Sequence, residues 1–140
     1  MMTINGHELP VMLSESIKTG EWAKLSKSSQ LALVFPKADI VNPSFYEEDS
    51  LKLENATWPA ESDPAYIGVE SLSAPPGDID PARSVLIADL GPDRPIALDY
   101  RTSNCPRVVY LVEGDDANWI EAASNIEALI ENLRCEDARR

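Results

Sequence analysis

The side chains that could perform chemistry in this chain are mostly carboxylates in its C-terminal half. They form three groups along the sequence: Asp78 and Asp80; Asp89, Asp93 and Asp99; and Asp115 and Asp116. Two or three converging carboxylates could bind a divalent cation through their oxygens, or act as a general acid and base. Asp93 and the Asp115-Asp116 pair fall in predicted turns, however, where an aspartate bonds its own backbone. Asp99 could pair across a strand with Arg107. Structural roles of this kind are favoured over metal binding and over catalysis, and no metal or cofactor is expected.

Other catalytic groups are sparse. His7 is the only histidine, and it lies in a weakly patterned N-terminus, where a surface histidine is expected. Cys105 and Cys135 have no histidine nearby in sequence and form no Cys-x-x-Cys pair, so both are expected to be free thiols. Glycine-rich phosphate-binding loops are absent from the sequence. The sequence thus predicts a protein that is not an enzyme.

Three strand-like runs must position the C-terminal carboxylates. Ser84–Leu90 and Arg107–Val112 are apolar on both alternating faces, as in strands that are covered on both sides. Between them, Pro95–Tyr100 alternates, with its larger apolar residues on one side. The short links contain glycine and proline, which favours an antiparallel meander.

Helices are predicted near both ends of the chain. Apolar residues at near-helical spacing predict a helix over Pro10–Thr19 that ends at Gly20. Towards the C-terminus, Ser124 and Glu127 match a capping box. The apolar stripe that follows is expected to pack on the sheet, and it consists of Ile126, Leu129, Ile130 and Leu133.

The middle of the chain is less regular. Leu31–Phe35 fits a strand or a helix, Ala65–Val69 is predicted as a strand, and Ser71–Ala82 as a surface loop. Four large aromatic residues near predicted loops would be binding anchors if exposed, but core packing is expected for Tyr46, Trp58, Tyr66 and Trp119. Together these elements predict one α+β domain over residues 1–140, with a largely antiparallel sheet of five or six strands and helices at both ends.

The run from Ile87 to Arg101, followed by Val108-Val109-Tyr110 and by Trp119–Ser124, resembles the core of the SUKH superfamily, the Smi/Knr-type proteins. The resemblance covers about residues 81 to 133. The N-terminal half departs from the family pattern, because Leu9-Pro10 is present without the Asn-Gly-Gly-like turn that often follows. The resemblance implies a single α+β domain in which Trp119 closes the end of the sheet. For many bacterial members it implies an immunity protein that binds and neutralises a toxin.

The net charge of −12 limits the partners that the chain is expected to bind. Residues 1–60 carry five lysines against eight acids, and residues 61–140 carry seven arginines against sixteen acids. Nucleic acid and anionic membranes are unfavourable partners because their phosphates would be repelled, whereas a basic protein is favoured. No run reaches the length of about 20 apolar residues that a membrane span needs, and the N-terminus lacks the pattern of a secretion signal. A cytoplasmic location is expected.

These observations favour a cytoplasmic immunity protein whose acidic face occludes the active site of a basic toxin domain. The expected partner-binding residues are Asp78, Asp80, Asp89, Asp93, Arg94, Asp99 and Arg101. One alternative is a structural or regulatory scaffold of the same fold that binds another cellular protein. A more remote alternative is a carboxylate-based, metal-dependent enzyme.

Overall fold

A six-stranded antiparallel sheet forms the centre of the fold in the computed structural model, which describes residues 2–73, 75–112 and 118–134. The strands are β1 (Thr3–Ile4), β2 (His7–Glu8), β3 (Ser44–Phe45), β4 (Pro76–Gly77), β5 (Ser84–Asp89), β6 (Pro95–Asp99), β7 (Arg107–Val112) and β8 (Asn118–Ala123). The α-helices are α1 (Val11–Thr19), α2 (Glu21–Lys24), α3 (Leu31–Val34), α4 (Glu48–Asn55), α5 (Pro64–Ile67) and α6 (Ile126–Arg134). Strands β1 and β2 form a separate hairpin, and the large sheet has the order β3-β5-β6-β7-β8-β4. The predicted α+β class is confirmed.

The three predicted strands form the predicted meander. Leu98 of β6 lies opposite Val85 of β5 and Val108 of β7, and all three side chains are fully buried. Residues of both alternating faces are buried along β5 and β7, as expected of strands covered on both sides, and β6 between them is buried on both faces as well. Strand β8, which the sequence did not predict, extends the sheet beside β7. Trp119 is buried within this strand opposite Leu111, so it forms part of the sheet instead of closing its end.

The two flanking helices are also confirmed. Helix α1 ends at Gly20, which has the left-handed conformation (φ 85°) that favours glycine at this position. The whole predicted stripe of α6 is buried, and the helix contacts β7 and β8. The predicted capping box is wrong by one residue, because the side chain of Asn125, not that of Ser124, accepts the N–H of Ala128 at 2.8 Å. Asparagine caps helices as well as serine does.

Two predictions for the middle of the chain are wrong. Ala65–Val69 is not a strand, since α5 occupies Pro64–Ile67. Asp63 starts this helix by accepting the N–H of Ala65 at 2.9 Å, and the proline stands at the first helical position, where it is favoured. The expected loop over Ser71–Ala82 contains β4 and the start of a 3-10 helix. Leu31–Phe35, which fits either a strand or a helix in the sequence, contains helix α3. Asp115, Asp116 and Cys135 lie outside the described residues.

The buried side chain of Asn55 attaches α4 to β5. Its Oδ1 accepts the N–H of Leu86 at 2.9 Å, and its Nδ2 donates to the carbonyl oxygens of Leu86 and Leu51, each at 2.8 Å. The amide thus bonds β5 as a neighbouring strand would, at a point where β3 does not reach. This attachment fixes the C-terminal end of α4 beside Leu86, in the first half of β5.

Candidate functional site

An acidic groove with a volume of about 610 Å³ lies where β3, β5 and β6 meet the segment that follows α4. This volume is within the range of about 300–1,000 Å³ that is typical of ligand-binding pockets. Its carboxylates are Glu54, Glu61, Asp89 and Asp93, and its aromatic side chains are Tyr46, Trp58 and Tyr66. The groove therefore combines charge with aromatic surface.

Asp89 stands at the end of β5 and is half-buried. The hydroxyl of Tyr46 donates to its Oδ2 at 3.0 Å. Burial raises the pKa of Asp89 above its usual value, although the Tyr46 hydroxyl and the backbone N–H groups of Gly91 and Ser44 act in the opposite direction. Burial and the neighbouring charge of Asp89 raise the pKa of Tyr46 as well, so Tyr46 remains a donor at neutral pH.

Asp93 lies in the link between β5 and β6, at the exposed mouth of the groove. Its backbone is left-handed (φ 61°), a conformation that aspartate tolerates better than most residues. The hydroxyl of Tyr66 donates to its Oδ1 at 2.8 Å. This hydrogen bond and the charge of Asp93 raise the pKa of Tyr66. Two tyrosine–aspartate pairs therefore line one groove.

The charge of the groove is strongly unbalanced. Among the lining residues that the structure describes, four carboxylates stand against one guanidinium, that of Arg94, which lies 3.5 Å from Asp39 Oδ2. Within the described part of the chain, no lysine or arginine forms an ion pair with Asp89 or Asp93. The groove is thus suited to a positively charged group from outside.

Asp99, Arg101 and Asp78 form a separate ionic network. Asp99 is only 1% exposed, and its carboxylate accepts Arg101 Nε at 3.1 Å and Arg107 Nε at 2.9 Å. Arg101 Nη1 also bonds Asp78 Oδ1 at 3.0 Å. Burial opposes ionisation of Asp99, but the hydrogen bonds and charge of Arg101, together with Arg107, hold its pKa below the usual value. The predicted pair of Asp99 with Arg107 is confirmed, and the network joins β6 and β7 to the segment before β5.

Asp80 has a local role. It accepts the N–H of Ala82 at 3.0 Å, which caps the short 3-10 helix Pro81–Arg83, and its other oxygen lies 3.0 Å from Arg83 Nε. The structure therefore divides the predicted site residues. It brings Asp89, Asp93 and Arg94 together in the groove, and it places Asp78, Asp80, Asp99 and Arg101 in contacts elsewhere.

The predicted core packing is confirmed for three of the four aromatic residues, since Tyr46, Trp58 and Trp119 are buried. Tyr66 is half-exposed. Glu54 and Glu61, which the sequence did not single out, complete the acidic lining. No local pattern marks these residues, because the groove joins positions that are far apart in the chain; Tyr46 and Asp89 are separated by 43 residues.

A second cleft of about 490 Å³ borders the β1–β2 hairpin. His7 stacks on Tyr100 there with a ring-centre distance of 4.7 Å, and its Nε2 lies 3.0 Å from the carbonyl oxygen of Ala82. The hydroxyl of Tyr100 donates to the carbonyl of Glu8 at 2.9 Å. Exposed Cys105 lines the same cleft. The only histidine of the chain thus attaches the N-terminal hairpin to the sheet.

Across the described ranges, no three histidine, cysteine, aspartate or glutamate side chains are placed to hold one metal ion. In the same part of the chain, no helix is both long and apolar enough to span a bilayer. Comparisons with protein-family models, curated proteins and solved structures find no match to this chain. The SUKH resemblance therefore stays a prediction, and the acidic groove is the feature of the structure that bears on function.

Proposed function

We propose that the protein is a non-enzymatic binding protein whose acidic groove docks a basic segment of a partner protein. The observation that carries the proposal is the charge of the groove, in which Asp89 and Asp93 have no cationic partner from the described residues. In line with the SUKH resemblance, the partner is a basic toxin domain and the location is the cytoplasm. By holding a basic segment beside the toxin's active site, the protein covers that site and blocks access of its substrate.

Complementary charge serves two purposes in this mechanism. The acidic exterior, with a net charge of −12 for the chain, steers a basic partner and increases its rate of association. The groove then provides short-range contacts, since its carboxylates are already oriented by tyrosine hydroxyls at 3.0 Å and 2.8 Å. Such preorganisation lowers the cost of ordering side chains on binding.

A growth-protection assay tests this proposal. The protein is co-expressed with toxins encoded beside its own gene, as wild type, as an Asp89→Asn/Asp93→Asn double variant, and as an Asp80→Asn control. Asp80 is also acidic but lies outside the groove. Wild type and Asp80→Asn should protect cells, and the double variant should not, although its circular dichroism and melting curve remain those of a folded protein.

Two results would contradict the proposal. One is full protection by the folded double variant, which would place binding on another surface. The other is failure of the wild type to protect, together with the capture of housekeeping proteins alone from the source cell. That second outcome would favour a scaffold.

A further inference from the structure

The carboxylate of Asp89 can accept a further donor. A carboxylate offers about four lone-pair sites, and the Tyr46 hydroxyl occupies one of them at 3.0 Å, while the backbone N–H groups of Ser44 and Gly91 favour the ionised form. All three donors are neutral, so they orient the carboxylate without balancing its charge. Burial keeps the pKa of Asp89 raised in spite of them. A cation as that further donor would stabilise the ionised form.

Asp93 provides a second acceptor at the mouth of the groove. Its Oδ1 is bonded to Tyr66, whereas its Oδ2 forms no hydrogen bond with a described residue. A ligand with several donors on one rigid group can use both aspartates. A guanidinium has five N–H donors in a fixed plane, and an ammonium has three on a single nitrogen.

The aromatic lining also distinguishes the two cations. The half-exposed ring of Tyr66 borders the same groove as the two aspartates, whereas Tyr46 and Trp58 lie almost wholly in the core. A guanidinium stacks on aromatic rings and is weakly hydrated, whereas an ammonium is compact and strongly hydrated. Transfer from water to this partly buried, aromatic site is thus easier for a guanidinium. Arg94, the groove's own guanidinium, does not cancel the attraction, because four carboxylates line the same groove.

From this lining we infer that the groove receives one arginine side chain of the partner, with its guanidinium on Asp89 and Asp93. The inference rests on the proposed function and deepens it, because it names the residue type that the groove selects. Lysine satisfies the same charge, but its donors are confined to one nitrogen instead of a rigid plane, and it gains less from the aromatic ring of Tyr66. The partner segment is therefore defined by an arginine and not by positive charge alone.

Three capped tripeptides test the inference: acetyl-Gly-Arg-Gly-amide, the same peptide with lysine, and the same peptide with citrulline, which keeps the shape of arginine without its charge. Each is titrated into the isotope-labelled protein at low salt and followed by amide and indole NMR signals. The arginine peptide should shift signals of the groove and bind at least about fivefold more tightly than the lysine peptide. The citrulline peptide should bind at least about tenfold more weakly than the arginine peptide.

Variants connect the binding to the groove. Asp89→Asn should weaken the arginine peptide about tenfold or more, because a charge-assisted hydrogen bond is lost. Asp80→Asn removes the same charge outside the groove and should leave the affinity unchanged. Equal affinities for arginine and lysine, shifts spread over the whole acidic surface, no binding of any peptide, or an unaffected Asp89→Asn variant would each overturn the inference. The proposed function fails separately, in the protection assay, which makes no distinction between arginine and lysine.

Discussion

Replacing Asn55 by alanine should cost the protein about 2–5 kcal/mol of unfolding free energy. The truncation leaves the N–H and the carbonyl of Leu86 without the partners that Asn55 provides at 2.9 and 2.8 Å. Both lie in the core, where an unsatisfied polar group costs about 1–3 kcal/mol, and a small cavity increases the loss. The carbonyl of Leu51 adds little to this loss, because it lies within α4 and keeps a backbone hydrogen bond of the helix.

Urea unfolding at pH 7 measures the change directly, and native-state hydrogen exchange locates it, since the amide of Leu86 should lose protection before the rest of β5. Asn132→Ala is the matched control, because Asn132 is an exposed asparagine in helix α6. It should change stability by less than about 0.5 kcal/mol. A loss below 1 kcal/mol for Asn55→Ala, with the Leu86 amide still protected, would refute the proposed attachment of α4 to β5.

Two further perturbations test other contacts. Asp99→Asn should lower stability by about 2–4 kcal/mol at pH 7, because Arg101 and Arg107 lose their shared carboxylate. Since folding lowers the pKa of Asp99, its contribution is present above its unfolded pKa of about 3.9 and is lost as pH falls towards the folded value. Wild type should therefore lose more stability than Asp99→Asn in urea titrations between pH 5 and pH 3, and parallel curves would contradict this. Gly77→Ala should destabilise more than Gly6→Ala. Both glycines have φ of 83°, but only at position 77 would the new Cβ meet a backbone atom, 2.3 Å from Val69 O; equal melting temperatures would show that the loop adapts.

The sheet and the terminal helices could be predicted because their signals are local. Apolar runs such as Arg107–Val112 and the stripe of α6 depend only on neighbours in sequence, and both are buried as expected. The β1–β2 hairpin was missed although Asn5-Gly6, the turn between its strands, is a strong hairpin signal. The apolar run at Ala65–Val69 suggested a strand, but capping by Asp63 and the proline that follows it favour helix α5 instead.

The groove could be predicted only in part. Asp89 and Asp93 were singled out for their charge, but nothing local indicates that Tyr46 and Tyr66 bond them, over separations of 43 and 27 residues. Asp99 looked equally available in the sequence, and only the packed structure shows that two arginines already neutralise it. Whether a carboxylate is free or paired is a property of the tertiary fold.

The most direct measurement is the affinity of the wild-type protein and of the folded Asp89→Asn/Asp93→Asn variant for the toxin domain identified in the protection assay, determined by calorimetry at low and at physiological salt. Each lost charge-assisted contact is worth about 1.5–3 kcal/mol. We predict that the double variant binds at least about a hundredfold more weakly and that its affinity depends less on salt. Equal affinities for the two proteins at both salt concentrations would contradict the docking of a basic partner in the acidic groove.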